Sequence, residues 1–381
     1  MESVKSVEDL IRTITQQVLE AIMEAEREVF LREHGGQKNG YYTRDLDTTV
    51  GRLKALRVPR DREGQFRTQL FRPYQRRTLD VEALTVALFR QGLSARRVGE
   101  ILKEVLGFTY SPGTVTEVAK IAREEIQKWR ARPLKSRYVV LYLDAMFVPL
   151  RRDTVSREAI YMILGVDEEG HREILDFAIY PQEGARVWEG LLRRLVERGV
   201  REVLLVVADG LAGMEEAVKS VFPRADVQRC VVHALRQTRL AVRRKDWEEV
   251  LQGLRAVLDA KDWEAAMEAF RGFRERWRRR YPRVVSLWEK HLGSLLAYFA
   301  YPGALRKTLR STNLLERVHK EMRRRFRVIE VFPSVESLEG WVYWMVVRMN
   351  MKWEERRLWG FVQTRRELQD LFRSRYLTQN S

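Results

Sequence analysis

The chain has 381 residues, 45% of them hydrophobic, which is enough for two or three domains and a full apolar core. Its 70 Lys and Arg against 53 Asp and Glu leave a formal charge of +17, a balance that points to a polyanionic partner, nucleic acid first. Composition excludes a disordered chain, and the single cysteine, Cys230, excludes an internal disulfide and a multi-cysteine zinc cage. No run of roughly 18 apolar residues occurs, and the start MESVKSVEDL lacks a signal-peptide pattern, so a cytoplasmic protein with no membrane partner is expected.

In the first 31 residues, Ile11, Ile14, Val18, Ile22, Ala25 and Val29 recur three and four apart. This is one apolar stripe of a helix, which packs on its own domain or seams a dimer. The segment from His34 to Gly40 carries three glycines and reads as a loop. Three helices are predicted between 80 and 130: Asp80 to Gln91, a second begun by Ser94, and a third opened by Ser111 with Pro112 in its first turn. Their short connections suit a helix-turn-helix or a plain helical bundle. In the first case the helix from Pro112 enters the major groove, with Thr114, Thr116 and Glu117 near base edges and Arg96 and Arg97 near phosphates.

From Tyr138 the pattern changes to strands. Tyr138 to Leu143 is almost continuously apolar, as a strand buried on both faces should be. Ala159 to Val166 and Glu173 to Tyr180 predict a hairpin around Asp167 to Gly170. A helix over Ala185 to Arg198, a strand over Glu202 to Ala208, a helix over Gly213 to Val221 and a fifth strand over Val227 to Val232 follow. This order indicates an α/β fold, a mixed sheet flanked by helices. From Leu235 to Arg306 there is no strand signal, and the stretch reads as amphipathic helices inserted into the sheet domain. Ser311, Thr312 and Asn313 then cap a helix from Leu314 to Arg325, and further helices run from about Ser337.

Asp144 follows one buried apolar run and Asp209 another, and a carboxylate there is costly unless it meets a cation or a cleft. Two carboxylates suit Mg²⁺, and a third lets two ions share a site for phosphodiester cleavage. Glu316, on the first turn after Thr312 and Asn313, is the candidate for the third, with Glu321 as its rival. The alternative is that Asp209 and Gly210 form a turn while Asp144 pairs with an arginine. Cys230 and His233 offer only two zinc ligands and cannot fill a tetrahedral shell. Arg151 and Arg310 are candidates for phosphate contacts, and Trp288 for stacking on an extruded base.

Several stretches together resemble the Mutator-type bacterial insertion-sequence transposases, a DDE family with an RNase H-like catalytic domain. They are Gly40 to Gly51, Val58 to Phe66, Gly92 to Arg97 with Ser111, Leu143-Asp144-Ala145, Ala208 to Gly213, Val221-Phe222-Pro223, Gln228 to His233, Arg310 to Glu316, and Phe332-Pro333. The similarity spans about residues 40 to 350. It differs at Gln237, where the family usually has Asn after Arg, and at Arg317, where a small residue is common.

The resemblance implies an RNase H-like mixed five-stranded sheet with an all-helical insertion and an N-terminal helical, helix-turn-helix region. It divides the chain into a helical region (1–75), a helix-turn-helix domain (76–132), the first part of the catalytic domain (137–238), the insertion (239–308), and the second part with C-terminal helices (309–381). It makes Asp144, Asp209 and Glu316 the catalytic and metal-holding acids, Cys230 and His233 a signature beside them, and Asn313 a DNA contact. It implies two Mg²⁺ or Mn²⁺ ions per site. The partners it implies are double-stranded DNA, both transposon ends and target, and a second copy of the chain in a homodimer or larger assembly, bound to the nucleoid. A structure-selective nuclease on the same fold, or a non-catalytic DNA-binding descendant, are the alternative functions.

Overall fold

The structure, a computed structural model, describes residues 7–48, 51–68, 70, 123–124, 126–151, 155–181, 184–326, 332 and 334–377. The expected helix-turn-helix, with Arg96, Arg97, Thr114, Thr116 and Glu117, lies outside the described residues. The chain divides into two compact units, one of residues 1–132, 149–157 and 329–352, the other of 133–148, 158–328 and 353–381.

In the first unit, α1 (Val7–His34) packs on an antiparallel hairpin of β1 (Lys38–Thr48) and β2 (Gly51–Asp61). The apolar stripe is partly spent on this contact: Val18 and Ile22 are buried with Leu19 and Met23, whereas Val29 is 40% exposed. Arg27 ties helix to hairpin from a buried position, donating to the carbonyls of Gly40 at 2.9 Å and Arg60 at 3.0 Å. The sequence predicts a loop from His34 to Gly40, and the resemblance implies a helical region over 1–75. The hairpin forms because Leu46, Leu53, Leu56 and Val58 are each buried, although charged neighbours hide them from any apolar run.

The second unit holds most of a five-stranded mixed sheet of β3 (Arg137–Arg151), β4 (Val155–Val166), β5 (Arg172–Tyr180), β6 (Glu202–Ala208) and β7 (Asp226–Arg229). Its order is β5-β4-β3-β6-β7, with β4 and β5 antiparallel and β3, β6 and β7 joined by parallel pairings. Helices α2 (Ala185–Glu197) and α3 (Met214–Val221) supply the crossovers that parallel pairing requires. Trp188, Leu191, Leu192 and Leu195 of α2 pack with Leu141, Leu143, Val203 and Val206 of the sheet. Each such side chain, fully buried, contributes about 1.5–3 kcal/mol.

The fifth strand is shorter than the expected Val227 to Val232. The Cys230 amide makes the last ladder-like bond, 2.7 Å to the Ala208 carbonyl, and the Val231 amide turns to the carbonyl of Arg310 at 2.9 Å. Val231 and Val232 therefore open α4 (Val231–Ala241). The following segment is helical among the described residues: α5 (Trp247–Leu258), α6 (Trp263–Trp277), α7 (Pro282–Leu295) and α8 (Gly303–Leu309). The Asp262 carboxylate caps α6 by accepting the Ala265 amide at 2.8 Å, and Pro282 starts α7 where no amide donor is needed. The chain then enters α9 (Asn313–Phe326). No described helix is long and apolar enough to cross a membrane.

Candidate active site

The parallel register of β3 and β6 places Leu143 beside Ala208, so the next residue along each chain segment is an aspartate, Asp144 and Asp209. Adjacent strands lie about 4.8 Å apart, which brings the two acids to neighbouring positions. Asp144 does not end its strand, as its sequence context suggested. β3 continues to Arg151, and Asp144 stands where β6, its neighbour, stops.

Asp144 is 9% exposed; its Oδ1 accepts its neighbour Ala145's amide at 3.1 Å, and its Oδ2 lies 3.2 Å from Nδ1 of His319. The His319 ring is itself buried, with Nε2 lacking a hydrogen-bond partner. Asp209 Oδ1 accepts the Leu211 amide at 3.0 Å, so this carboxylate does organise its turn. It also faces the Arg229 side chain, whose Nη2 donates to the Gly210 carbonyl at 3.1 Å. Burial pushes Arg229 down from the ordinary arginine value, and the Asp209 charge opposes that shift. A Cβ at Gly210 would collide with that guanidinium, so a side chain there would displace it from beside Asp209.

Glu316 sits on the first turn of α9, where its amide donates to the Thr312 carbonyl at 2.9 Å. Thr312 is buried and fastened to the end of β7: its amide lies 3.4 Å and its hydroxyl 3.5 Å from the Cys230 sulfur. The Glu316 carboxylate is gripped by Arg236 of α4, with Nη1 2.8 Å from Oε1 and Nη2 3.4 Å from Oε2. His233 Nε2 lies 3.8 Å from the same Oε1. Glu321, the rival acid, pairs with Arg324 at 3.2 Å.

His233 senses the charges of Asp144 and Asp209. Proximity of the Cys230 sulfur raises it to about 9 against the effect of burial, and the charges of Asp144 and Asp209 add to the rise. Its Nδ1 has no hydrogen-bond partner, so the coupling to sulfur is one of through-space proximity. The Cys230 thiol is pushed up by burial, but His233 and Thr312 outweigh this and hold it below the ordinary thiol value.

The remaining expected residues are distributed differently. Arg310 points to the insertion, where Nη1 binds Asp259 Oδ1 at 2.6 Å and the Leu258 carbonyl at 3.4 Å. Asn313 is exposed at the start of α9, and Arg151 ends β3 with its side chain outside the described residues. Trp288 is fully buried and donates its indole N–H to Thr238 Oγ1 at 2.8 Å. It presents no free face to a base and sits in the insertion's core. His319, Arg229 and Arg236 were missed as site residues. His319 was findable, because it follows Glu316 by three positions on one helix and so shares its face.

Among the described residues, only Asp167, Glu169 and His171 bring three potential ligand atoms within 4.8 Å of one another. That group forms the β4–β5 turn, with Asp167 accepting the Glu169 and His171 amides and pairing with Lys135, and Glu169 pairing with Arg365. Its charges are already matched. Asp144, Asp209 and Glu316 do not meet that criterion. They nevertheless fit a divalent cation: a buried carboxylate beside the His319 imidazole, a second just past the end of the adjacent strand, and a third on a helix start are hard oxygen donors of the kind Mg²⁺ and Mn²⁺ take.

The sequence matches the family described as "Transposase, Mutator family" over residues 1–356. It is 31% identical to the transposase for insertion sequence element IS905 of Lactococcus lactis subsp. lactis, covering 97% of this chain and 96% of that relative. The transposase for insertion sequence element ISRM5 of Rhizobium meliloti is 35% identical, covering 91% of this chain and 88% of that relative. The transposase for insertion sequence element IS1201 of Lactobacillus helveticus is 30% identical, over 88% of this chain and 93% of that relative.

Proposed function

The chain belongs to the Mutator family of transposases, and from that premise we propose that it binds the terminal inverted repeats of an insertion sequence and catalyses strand cleavage and strand transfer there. The observation that carries this reading is the β3–β6 register, which sets Asp144 beside Asp209, with α9 delivering Glu316 to the same end of the sheet through Thr312 and Cys230. The sheet order, an outer antiparallel pair joined to three parallel strands, supports an RNase H-like assignment.

In this mechanism Asp144, Asp209 and Glu316 would hold two divalent ions, Mg²⁺ or Mn²⁺, which when bound polarise the phosphodiester and stabilise the charge that develops on its oxygens. Hydrolysis at the element's end frees a 3′-hydroxyl, which then attacks target DNA with no covalent enzyme intermediate. His319 fixes the Asp144 carboxylate from behind. His233 and Arg236 face Glu316. Joining two ends requires at least a dimer, and the excess of Lys and Arg supplies non-specific DNA affinity.

The test is a strand-transfer assay with duplexes carrying the element's own terminal repeats. Asp144→Asn, Asp209→Asn and Glu316→Gln each abolish cleavage and leave end binding largely intact. Cleavage without joining by the unaltered chain identifies a nuclease instead, and cleavage retained by one variant removes that residue from the acidic set.

A further inference from the structure

We propose that Arg236 is a phosphate-binding residue of the reaction centre, held in reserve by Glu316 and exchanged onto a DNA phosphate when a cation takes that carboxylate. This deepens the transposase reading and rests on it.

The exchange follows from the geometry and the charges. The Arg236 side chain is 59% exposed and anchored only at its tip, where its two terminal nitrogens reach both oxygens of Glu316. An ion pair this open to water is weak and breaks readily. Glu316 is the acid that must join Asp144 and Asp209 around the cations, and one carboxylate cannot serve a guanidinium fork and a divalent ion equally. A divalent ion on Glu316 stands within a few ångströms of Arg236 and repels it. His233 stands at the same place, its Nε2 3.4 Å from Arg236 Nη1 and 3.8 Å from Glu316 Oε1, so the guanidinium shares its carboxylate with a second ring. The anion that the reaction brings to this place is a phosphodiester, and the planar fork that fits a carboxylate fits two phosphate oxygens equally well. Arg236 lies on the solvent side of α4, one turn beyond His233, with Leu240 one turn further on and 90% exposed, so the approach is open.

Two measurements on the full chain test this. Titration of the DNA-free protein with Mn²⁺ compares the unaltered chain with Arg236→Gln and Arg236→Lys. The Gln variant binds Mn²⁺ about thirtyfold more tightly, the worth of removing one unit charge roughly 4 Å from a divalent ion in water. The salt dependence of end-duplex binding is then measured in Ca²⁺, which occupies carboxylates and slows cleavage. The slope of log affinity against log salt becomes shallower by about 0.9 in Arg236→Gln, the loss of one phosphate contact, and recovers in Arg236→Lys. A residue that merely held α4 to α9 would change neither the slope nor its recovery by Lys. An unchanged slope, or Mn²⁺ affinity in the Gln variant equal to or below that of the unaltered chain, overturns this inference alone. Failure of the unaltered chain to bind end duplex overturns the transposase reading and this inference with it.

Discussion

Nδ1 of His319 stands 3.2 Å from Oδ2 of Asp144 with both side chains buried, so the first aspartate is fixed by a residue of the helix that carries Glu316. His319→Ala removes that support while leaving all three acids in place. Outer partners of metal-holding groups typically matter by about 10–100-fold in affinity, and Mn²⁺ binding weakens by that order. His319→Asn, which keeps a donor near the same carboxylate, recovers part of it. Isothermal titration decides: equal Mn²⁺ affinity in the Ala variant and the unaltered chain removes the positioning role.

Cys230→Ala takes the sulfur away from the Thr312 amide and hydroxyl and leaves both polar groups buried without it. Unpairing a buried donor costs about 1–3 kcal/mol. The urea midpoint falls accordingly, and cleavage falls further than stability because Thr312 starts the helix that bears Glu316. Cys230→Ser restores part of both. If the alanine variant keeps full cleavage activity, the Cys230–Thr312 contact does not position Glu316.

Trp288→Ala empties a large buried site and strands the Thr238 hydroxyl contact. The expected cost is about 3–5 kcal/mol. Thermal unfolding registers it, whereas affinity for end duplex, normalised to folded protein, stays the same. Weaker DNA binding at unchanged stability is the opposite pattern and would restore Trp288 to the DNA-contacting residues.

Glu24 gives the first unit an acid-sensitive point. Burial works against its charge, but hydrogen bonds from Arg27, Lys38 and Tyr41 more than offset this and hold its carboxyl below the ordinary 4.5. A carboxyl lowered in the folded state adds stability that is present above its ordinary value and lost as pH falls through its folded value. Acid unfolding of the unaltered chain therefore steepens below pH 4.5, and Glu24→Gln flattens that limb while lowering stability at neutral pH. Parallel acid limbs in the two proteins exclude Glu24 as the source.

The strands that lead into Asp144 and Asp209 were legible because both are buried on two faces, and continuous apolar runs that meet an aspartate are conspicuous. Glu316 was not separable from Glu321 by such reasoning, since helix propensity says nothing about which acid a tertiary contact selects, and family resemblance chose it. The partners Arg236 and His319 were hidden for different reasons. Arg236 is one arginine among many, and only the crossing of α4 with the start of α9 singles it out. His319 looks like any helical histidine until the helix is placed against β3. The N-terminal hairpin was invisible because its buried residues are single leucines and a valine among charged neighbours. The end of β7 was misread because Val231 and Val232 favour strands, while the Arg310 carbonyl, some 80 residues away in sequence, pulls the Val231 amide out of the ladder.

The bond from Val231 to Arg310, with Thr312 fastened to Cys230 beside it, makes a clasp at the two ends of the helical insertion. The chain leaves the sheet and rejoins it at nearly the same point. Loops between the insertion's helices can lengthen or shorten for little more than a logarithmic change in closure entropy. The position of Glu316 is thus set at the clasp, four residues beyond Thr312, and not by the length of chain that precedes it.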